Sequence, residues 1–220
     1  MGLFASRWAF RSYLSDRLWT GREPRRGTSF ERGAGSPGGA GAVRHQRDDE
    51  GMSNERAEPM MEFTDRQGRG VVLEDITDEN WRSVADVAPA DDQRRFVAAL
   101  GARYLLLSLR GGVWTSLAVR AGEEVVGHVM WAYDDEDGTH WIGGMIVNAD
   151  EQGQGVGRLA VRALLRRLAA LPDCREIRLS YHPDNAPAAA LYKSLGFEPT
   201  GDFEDEEVVA SLSATAATTA

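Results

Sequence analysis

From Gln152 to Arg158 the chain reads Gln-Gly-Gln-Gly-Val-Gly-Arg, and apolar residues then recur at helical spacing. Glycines let backbone N–H groups approach a ligand closely, and the free amides and positive dipole end of a following helix face whatever binds there. Such a loop suits the holding of a phosphate or pyrophosphate. Gly153, Gly155 and Gly157 alternate, so the loop does not fit the dinucleotide pattern G-x-G-x-x-G, and it lacks the Gly-Lys-Ser/Thr ending of a nucleotide P-loop. Downstream, Asn185, Leu191 and Tyr192 precede Gly196 and Phe197. A phenol with an ordinary pKa of about 10 is protonated at neutral pH and can donate to a leaving group, although the same ring also suits a core position. His140, His182 and the run Asp134, Asp135, Glu136, Asp137 are the other titratable candidates. Acids beside Gly138 more often form a solvated turn, and each histidine more often has a structural or surface role. Cys174 is the single cysteine, which excludes an internal disulfide and a cysteine-held zinc, and no metal is expected.

The elements that would position these groups alternate between helix and strand. VVLEDI (71–76) reads as a strand, and Thr77 as the N-cap of a helix through Trp81, Val84 and Val87. Phe96, Val97, Leu100, Tyr104 and Leu107 predict a second helix within 91–110. TSLAVRAG, EEVVGHVMWAY and HWIGGMIV predict three strands, the last running into the glycine loop and a helix from Arg158 to Leu171. REIRLSY predicts a strand, NAPAAALYKSLG a helix ending at Gly196, and FEPTGDFEDEEVVASLS a hairpin. The fold class is mixed α/β.

Residues 1–47 carry nine arginines against three acids, or +6, so the rest of the chain is −15 within a total of −9. An acidic folded region favours a cationic partner and disfavours nucleic acid. No apolar run approaches the roughly 18 residues of a membrane span, and the expectation is a soluble, cytoplasmic protein. The first ~60 residues, rich in Arg, Gly and Ser, are expected to be a disordered extension. Its Arg-rich start is similar to a transit peptide, and Met52 offers an alternative start. The closing residues 214–220 are expected to fray.

Gln152-Gly153-Gln154-Gly155-Val156-Gly157 matches Q/R-x-x-G-x-G/A, and residues 185–197 match N-x-x-A-x-x-L-Y-x-x-x-G-F. With these two signatures in order and a strand between them, residues 71–213 resemble a GNAT N-acetyltransferase domain. The resemblance implies a twisted mixed sheet of six to seven strands with about four helices, splayed between its fourth and fifth strands. It implies acetyl-CoA as co-substrate, its arm along Met145, Ile146 and Val147 and its pyrophosphate at Gln152, Gly153, Gln154, Gly155, Val156, Gly157 and Arg158. A backbone N–H near Val147 would polarise the thioester carbonyl, Tyr192 would be the general acid, and Asn185 would orient the arm or Tyr192. Relatives of this kind are often homodimers.

Within the superfamily, YDDEDGTHWI and LSYHPDN look most like bacterial polyamine acetyltransferases, which implies a small-molecule amine substrate near Tyr133, Asp134, Glu136, Asp137, Trp141 and Tyr181. Gly143-Gly144 departs from the Trp-Arg of such relatives, and a strand glycine pair predicts a bulge. Two alternatives stand beside the polyamine-like amine: a protein N-terminus, lysine or aminoglycoside-type amine, and a non-catalytic acyl-CoA-binding module.

Overall fold

The computed structural model describes residues 63–219. Seven strands form one mixed sheet: β1 (Val71–Asp75), β2 (Thr115–Ala121), β3 (Glu124–Asp134), β4 (Thr139–Val147), β5 (Glu176–Tyr181), β6 (Glu198–Glu204) and β7 (Glu207–Ser213), in the order β1-β2-β3-β4-β5-β7-β6. The β4–β5 pair is parallel and all others are antiparallel. The helices are α1 (Trp81–Asp86), α2 (Gly101–Gly111), α3 (Val156–Ala169), α4 (Ala186–Ser194) and α5 (Ala214–Ala217).

Both faces of the central strands are covered, which is why they read as nearly continuous apolar runs. Leu117, Val119 and Val129 pack with Val161 and Leu164 of α3, whereas Ala118 packs with Val84 and Leu105, and Met130 with Tyr104, under α1 and α2. The period-two alternation of a strand sends neighbours to opposite faces. The glycine loop between β4 and α3 therefore leaves a sheet gripped from two sides.

Several local expectations change. Trp81 opens α1 and Asn80 is its N-cap; Thr77 instead closes the preceding turn, its hydroxyl accepting from the N–H groups of Glu79 and Asn80. The helix expected across 91–110 reduces to a 3-10 turn at Asp91–Gln93 and to α2. Gly101 is the cause. A Cβ there would lie 2.0 Å from the Val84 carbonyl oxygen, and its N–H donates across to Val87 at 2.8 Å, while Leu100 before it is extended. The closing segment forms α5, capped by the Ser213 hydroxyl and packed through the buried Ala217. Ordered structure also begins earlier than Val71. Phe63 is buried in the core, with the Arg166 guanidinium 4.6 Å from its ring centre, and Val71 N–H donates to its carbonyl. The readings of residues 1–60 as an extension, and of Met52 as a start, lie outside the described residues.

Candidate active site

The phosphate-type loop is held at both ends. The Gln152 side chain donates to the Val147 carbonyl at 3.1 Å and to Gln93 Oε1 at 2.9 Å, bracing the loop against the end of β4. On its other flank, Arg66 donates from its backbone to the Gln154 carbonyl at 3.0 Å and from Nη1 to the Gly153 carbonyl at 2.8 Å. Arg69 joins Asp65 to Glu151 beside it. Burial works to raise the Asp65 pKa, but hydrogen bonds from Arg69 and Gln67 outweigh it and hold the carboxyl below the usual range. The turn at 65–69 is thus a clamp on the loop. The sequence offered no signal for it, since no motif links residue 66 to residue 153.

Gly155 is the N-cap of α3 with φ +93°, a conformation L side chains rarely adopt, and no acidic residue occupies the first turn. The first helical amides, those of Val156, Gly157 and Arg158, have no intrahelical acceptor and point out of the helix end. They line a groove of about 440 Å³ that also contains Met145, Ile146, Val147 and Arg66. Arg158 donates to Ser194 on α4 at 2.6 Å, so its guanidinium is tethered at the rim. The expected residues Gln152, Gly153 and Gly155 line this groove as well; Gln154 does not, its carbonyl being turned to Arg66.

A second, smaller cavity of about 30 Å³ opens from the same wall. β4 and β5 pair only through His140–Ile142 with Ile177–Leu179, and beyond those residues Gly143, Gly144, Ser180 and Tyr181 line the cavity. Met145, Asn185, Ala188 and Tyr192 line both spaces. Tyr192, 9% exposed, stands on the inner face of α4, its ring centre 5.8 Å from Tyr181 and 6.0 Å from Phe197. Asn185 also serves the backbone, as the N-cap of α4, where its side-chain oxygen accepts from Ala188 at 3.3 Å.

The glycine pair does form a bulge. β3 pairs His128 with Ile146 and Met130 with Gly143, so Val129 faces two residues, Gly144 and Met145. Gly144 has φ +54°, and a Cβ there would meet Met130 and Tyr104, while one on Gly143 would run into the Trp114 ring at 2.9 Å. The side chains missing from these two positions are replaced by core aromatics from beneath.

A buried polar chain fixes the bulge. His128 is fully buried, and its Nδ1 lies 2.8 Å from the Gly144 carbonyl oxygen. A carbonyl only accepts, so Nδ1 carries the proton and Nε2 accepts from the Ser116 hydroxyl at 2.9 Å. Ser116 in turn accepts from Ser108, 2.6 Å away. Burial pushes the His128 pKa down to about 4 against the opposing pull of the Gly144 carbonyl, so the ring is neutral. With the Gly144 oxygen held toward His128, the trans peptide turns the Met145 N–H away from it.

The residues expected to meet the amine separate into two groups. Tyr181 lines the small cavity, and so does His182, whose ring centre lies 5.5 Å from that of Phe96, tilted by 37°. Asp134, Glu136 and Asp137 do not line either space. Asp134 closes the turn through the Glu136 N–H, and Asp137 is bound to Thr139 and to Arg178 at 2.9 Å. Tyr133 is 44% exposed beside that turn, and Trp141 is buried, its Nε1 donating to Thr139. His140 lies between Trp131 and Tyr133, with its pKa lowered by burial against the opposing field of Asp173. The apolar run of β4 that buries Trp141 and the solvated turn of acids beside Gly138 were both readable in the sequence. Sequence reasoning missed Val97, freed from the helix by Gly101, and Glu207 at the start of β7, both of which line the small cavity.

The acetyltransferase (GNAT) family model matches residues 73–197. Spermine/spermidine N(1)-acetyltransferase of Bacillus subtilis is 35% identical over 78 residues, covering 34% of this chain and 51% of that one, so the match spans about half the relative's length. Aminoglycoside N(6')-acetyltransferase type 1 of Klebsiella pneumoniae is 32% identical over 71 residues, covering 32% of this chain and 35% of that one. Among solved structures, AAC(6')-Ib in complex with ribostamycin and coenzyme A superposes with a TM-score of 0.57 at 19% identity, over 66% of this chain and 94% of that one. An acetyltransferase (GNAT family) from Bacillus anthracis does so with 0.55 at 16% identity, over 66% and 95%. These superpositions speak for the fold, and the family match covers the β4–loop–α3 unit and α4 with its tyrosine: the chain belongs to the GNAT acetyltransferase family.

Proposed function

We propose that the chain transfers an acetyl group from acetyl-CoA to a primary amine of a small cationic, polyamine-like substrate by direct attack in a ternary complex. The observation that supports this most is the meeting of two spaces at Tyr192. A groove floored by helix-end amides suits the pyrophosphate and arm of acetyl-CoA, and a small polar cavity suits an amine. In this reading the amides of 156–158 hold the pyrophosphate, and Met145, Ile146 and Val147 align the arm. A backbone N–H of that stretch stabilises the oxyanion as the amine nitrogen attacks. Tyr192 then protonates the departing thiolate. No covalent enzyme intermediate is needed. The same reading makes the protein a cytoplasmic enzyme without a nucleic-acid partner. It is consistent with the acidity of the chain beyond residue 47, and among the described residues no helix is long and apolar enough to cross a membrane.

An aminoglycoside-type amine is the second reading, because relatives named for that activity match over a comparable stretch. Thiol release from acetyl-CoA, screened against spermidine, spermine, kanamycin, a lysine peptide and a peptide N-terminus, separates the two. Turnover with polyamines and not with kanamycin is the expected result. Turnover with kanamycin alone would move the assignment to the second reading, and acetyl-CoA binding without turnover on any amine would leave a binding module.

A further inference from the structure

Glu207 opens β7 directly after the β6–β7 turn, opposite Glu204 in register, and is 9% exposed. The Ser180 hydroxyl of β5 donates to its Oε2. Among the described residues it is the one carboxylate lining the small cavity, whose other walls include Gly143, Gly144, His182 and Tyr192. At about 30 Å³ the cavity admits one or two water-sized groups, enough for an ammonium head but not for the body of a polyamine or a sugar. Tyr192 closes the same cavity toward the cofactor groove, so a nitrogen seated against Glu207 borders the place where a thioester would end.

We propose that Glu207 is the acceptor-side catalytic residue: its carboxylate binds the substrate's terminal ammonium and takes the proton that nitrogen must lose. This rests on the transferase reading above and adds to it the group that selects for a cationic primary amine. R–NH3+ gives one proton to the Glu207 carboxylate, and the freed lone pair forms the C–N bond at the thioester carbonyl. The C–S bond breaks as the tetrahedral adduct collapses, Tyr192 protonates the sulfur, and the second nitrogen proton returns to the phenolate. The products are R–NH–acetyl and the free thiol, with one proton left on Glu207 for solvent. Ser180 is a positioning residue that fixes which oxygen of the carboxylate faces the nitrogen.

Two readouts test this on the full chain. With the protein saturated by CoA, calorimetric titration of spermidine should show at least tenfold weaker binding for Glu207→Gln, with CoA affinity unchanged. With acetyl-CoA, kcat/KM for spermidine should fall about 100-fold, while that for hydroxylamine, neutral at the assay pH, should fall less than threefold. Should Glu207→Gln also lose CoA, Ser180→Ala decides: it should weaken spermidine binding three- to tenfold with CoA binding intact. Equal spermidine binding in wild type and the deciding variant overturns the assignment, as does a CoA-loaded wild type that binds no spermidine. Glu207-dependent binding without thiol release would sink the transferase reading and leave the assignment of Glu207 to amine binding in place. Thiol release equal in wild type and Glu207→Gln would do the opposite.

Discussion

At the scale of single residues the proposed chemistry converges on Tyr192. Its ring is packed between Tyr181 and Phe197 while it lines both cavities, so its position is fixed by core contacts. In the proposed reaction a phenol held this way would deliver its proton without first having to be ordered. Tyr192→Phe keeps those contacts and removes only the hydroxyl. It should lower turnover by roughly 10- to 1000-fold while acetyl-CoA affinity, measured by calorimetry, stays within about twofold. Unchanged turnover would remove the phenol from the mechanism. Tyr192 belongs to a contiguous helical pattern shared with a family, whereas Glu207 is a strand-end acid that looks like any solvated turn residue until β7 is placed beside β5.

At the scale of elements, the β4–loop–α3 unit depends on one backbone conformation. A Cβ at Gly155 meets nothing within 4 Å, so a larger residue there has room. What it lacks is the dihedral, since φ +93° costs a β-branched residue on the order of 1–3 kcal/mol. The loop would relax that strain by turning its amides, and the proposed pyrophosphate site would go with them. Gly155→Val should therefore leave the far-UV circular dichroism and the fold intact while abolishing measurable acetyl-CoA binding; normal affinity would refute the pyrophosphate placement. The Arg66 clamp suggests a milder counterpart. Arg66→Ala keeps the backbone bond to Gln154 but loses the one to Gly153, and acetyl-CoA affinity should fall three- to tenfold. No change would show that the Gln152 brace alone holds the loop.

At the scale of the whole molecule, three buried groups whose pKa the fold lowers, His128, His140 and Asp65, set how stability responds to acid. His128 titrates at about 4 in the folded chain and near 6.5 when unfolded. Between those values only the unfolded chain takes up the proton, so stability is full above about 6.5 and falls as the pH drops toward 4, by roughly 3 kcal/mol in all. Asp65, with its folded pKa lowered, adds a loss in the same direction in a more acidic window, below its ordinary 3.8. Urea unfolding midpoints at pH 7.5, 6 and 4.5 should decline progressively, and a flat profile would mean that His128 is not buried as neutral imidazole. Because His128 holds the Gly144 carbonyl, the acid loss should begin with the bulge in β4, where the site is built.

The mixed α/β class, the strand–glycine loop–helix unit, the tyrosine-bearing helix and the glycine bulge were all legible in the order of residues. Each is a local pattern: periodicity, a glycine conformation, or a motif within one stretch of chain. What those patterns face was settled by packing between distant segments. Gly101 could not be read as a helix breaker, because what forbids its Cβ is the Val84 carbonyl of another helix. Arg66 and Glu207 stand 87 and 27 residues from their hydrogen-bonding partners Gly153 and Ser180, too far along the chain for spacing to connect them. The acidic run at 134–137 lines neither cavity, and two of its side chains have local partners: Asp134 closes its own turn, and Asp137 holds Thr139 and Arg178. Charge and motif place a group on the chain; which groups share a cavity follows from the order in which the sheet sets β4, β5 and β7 side by side.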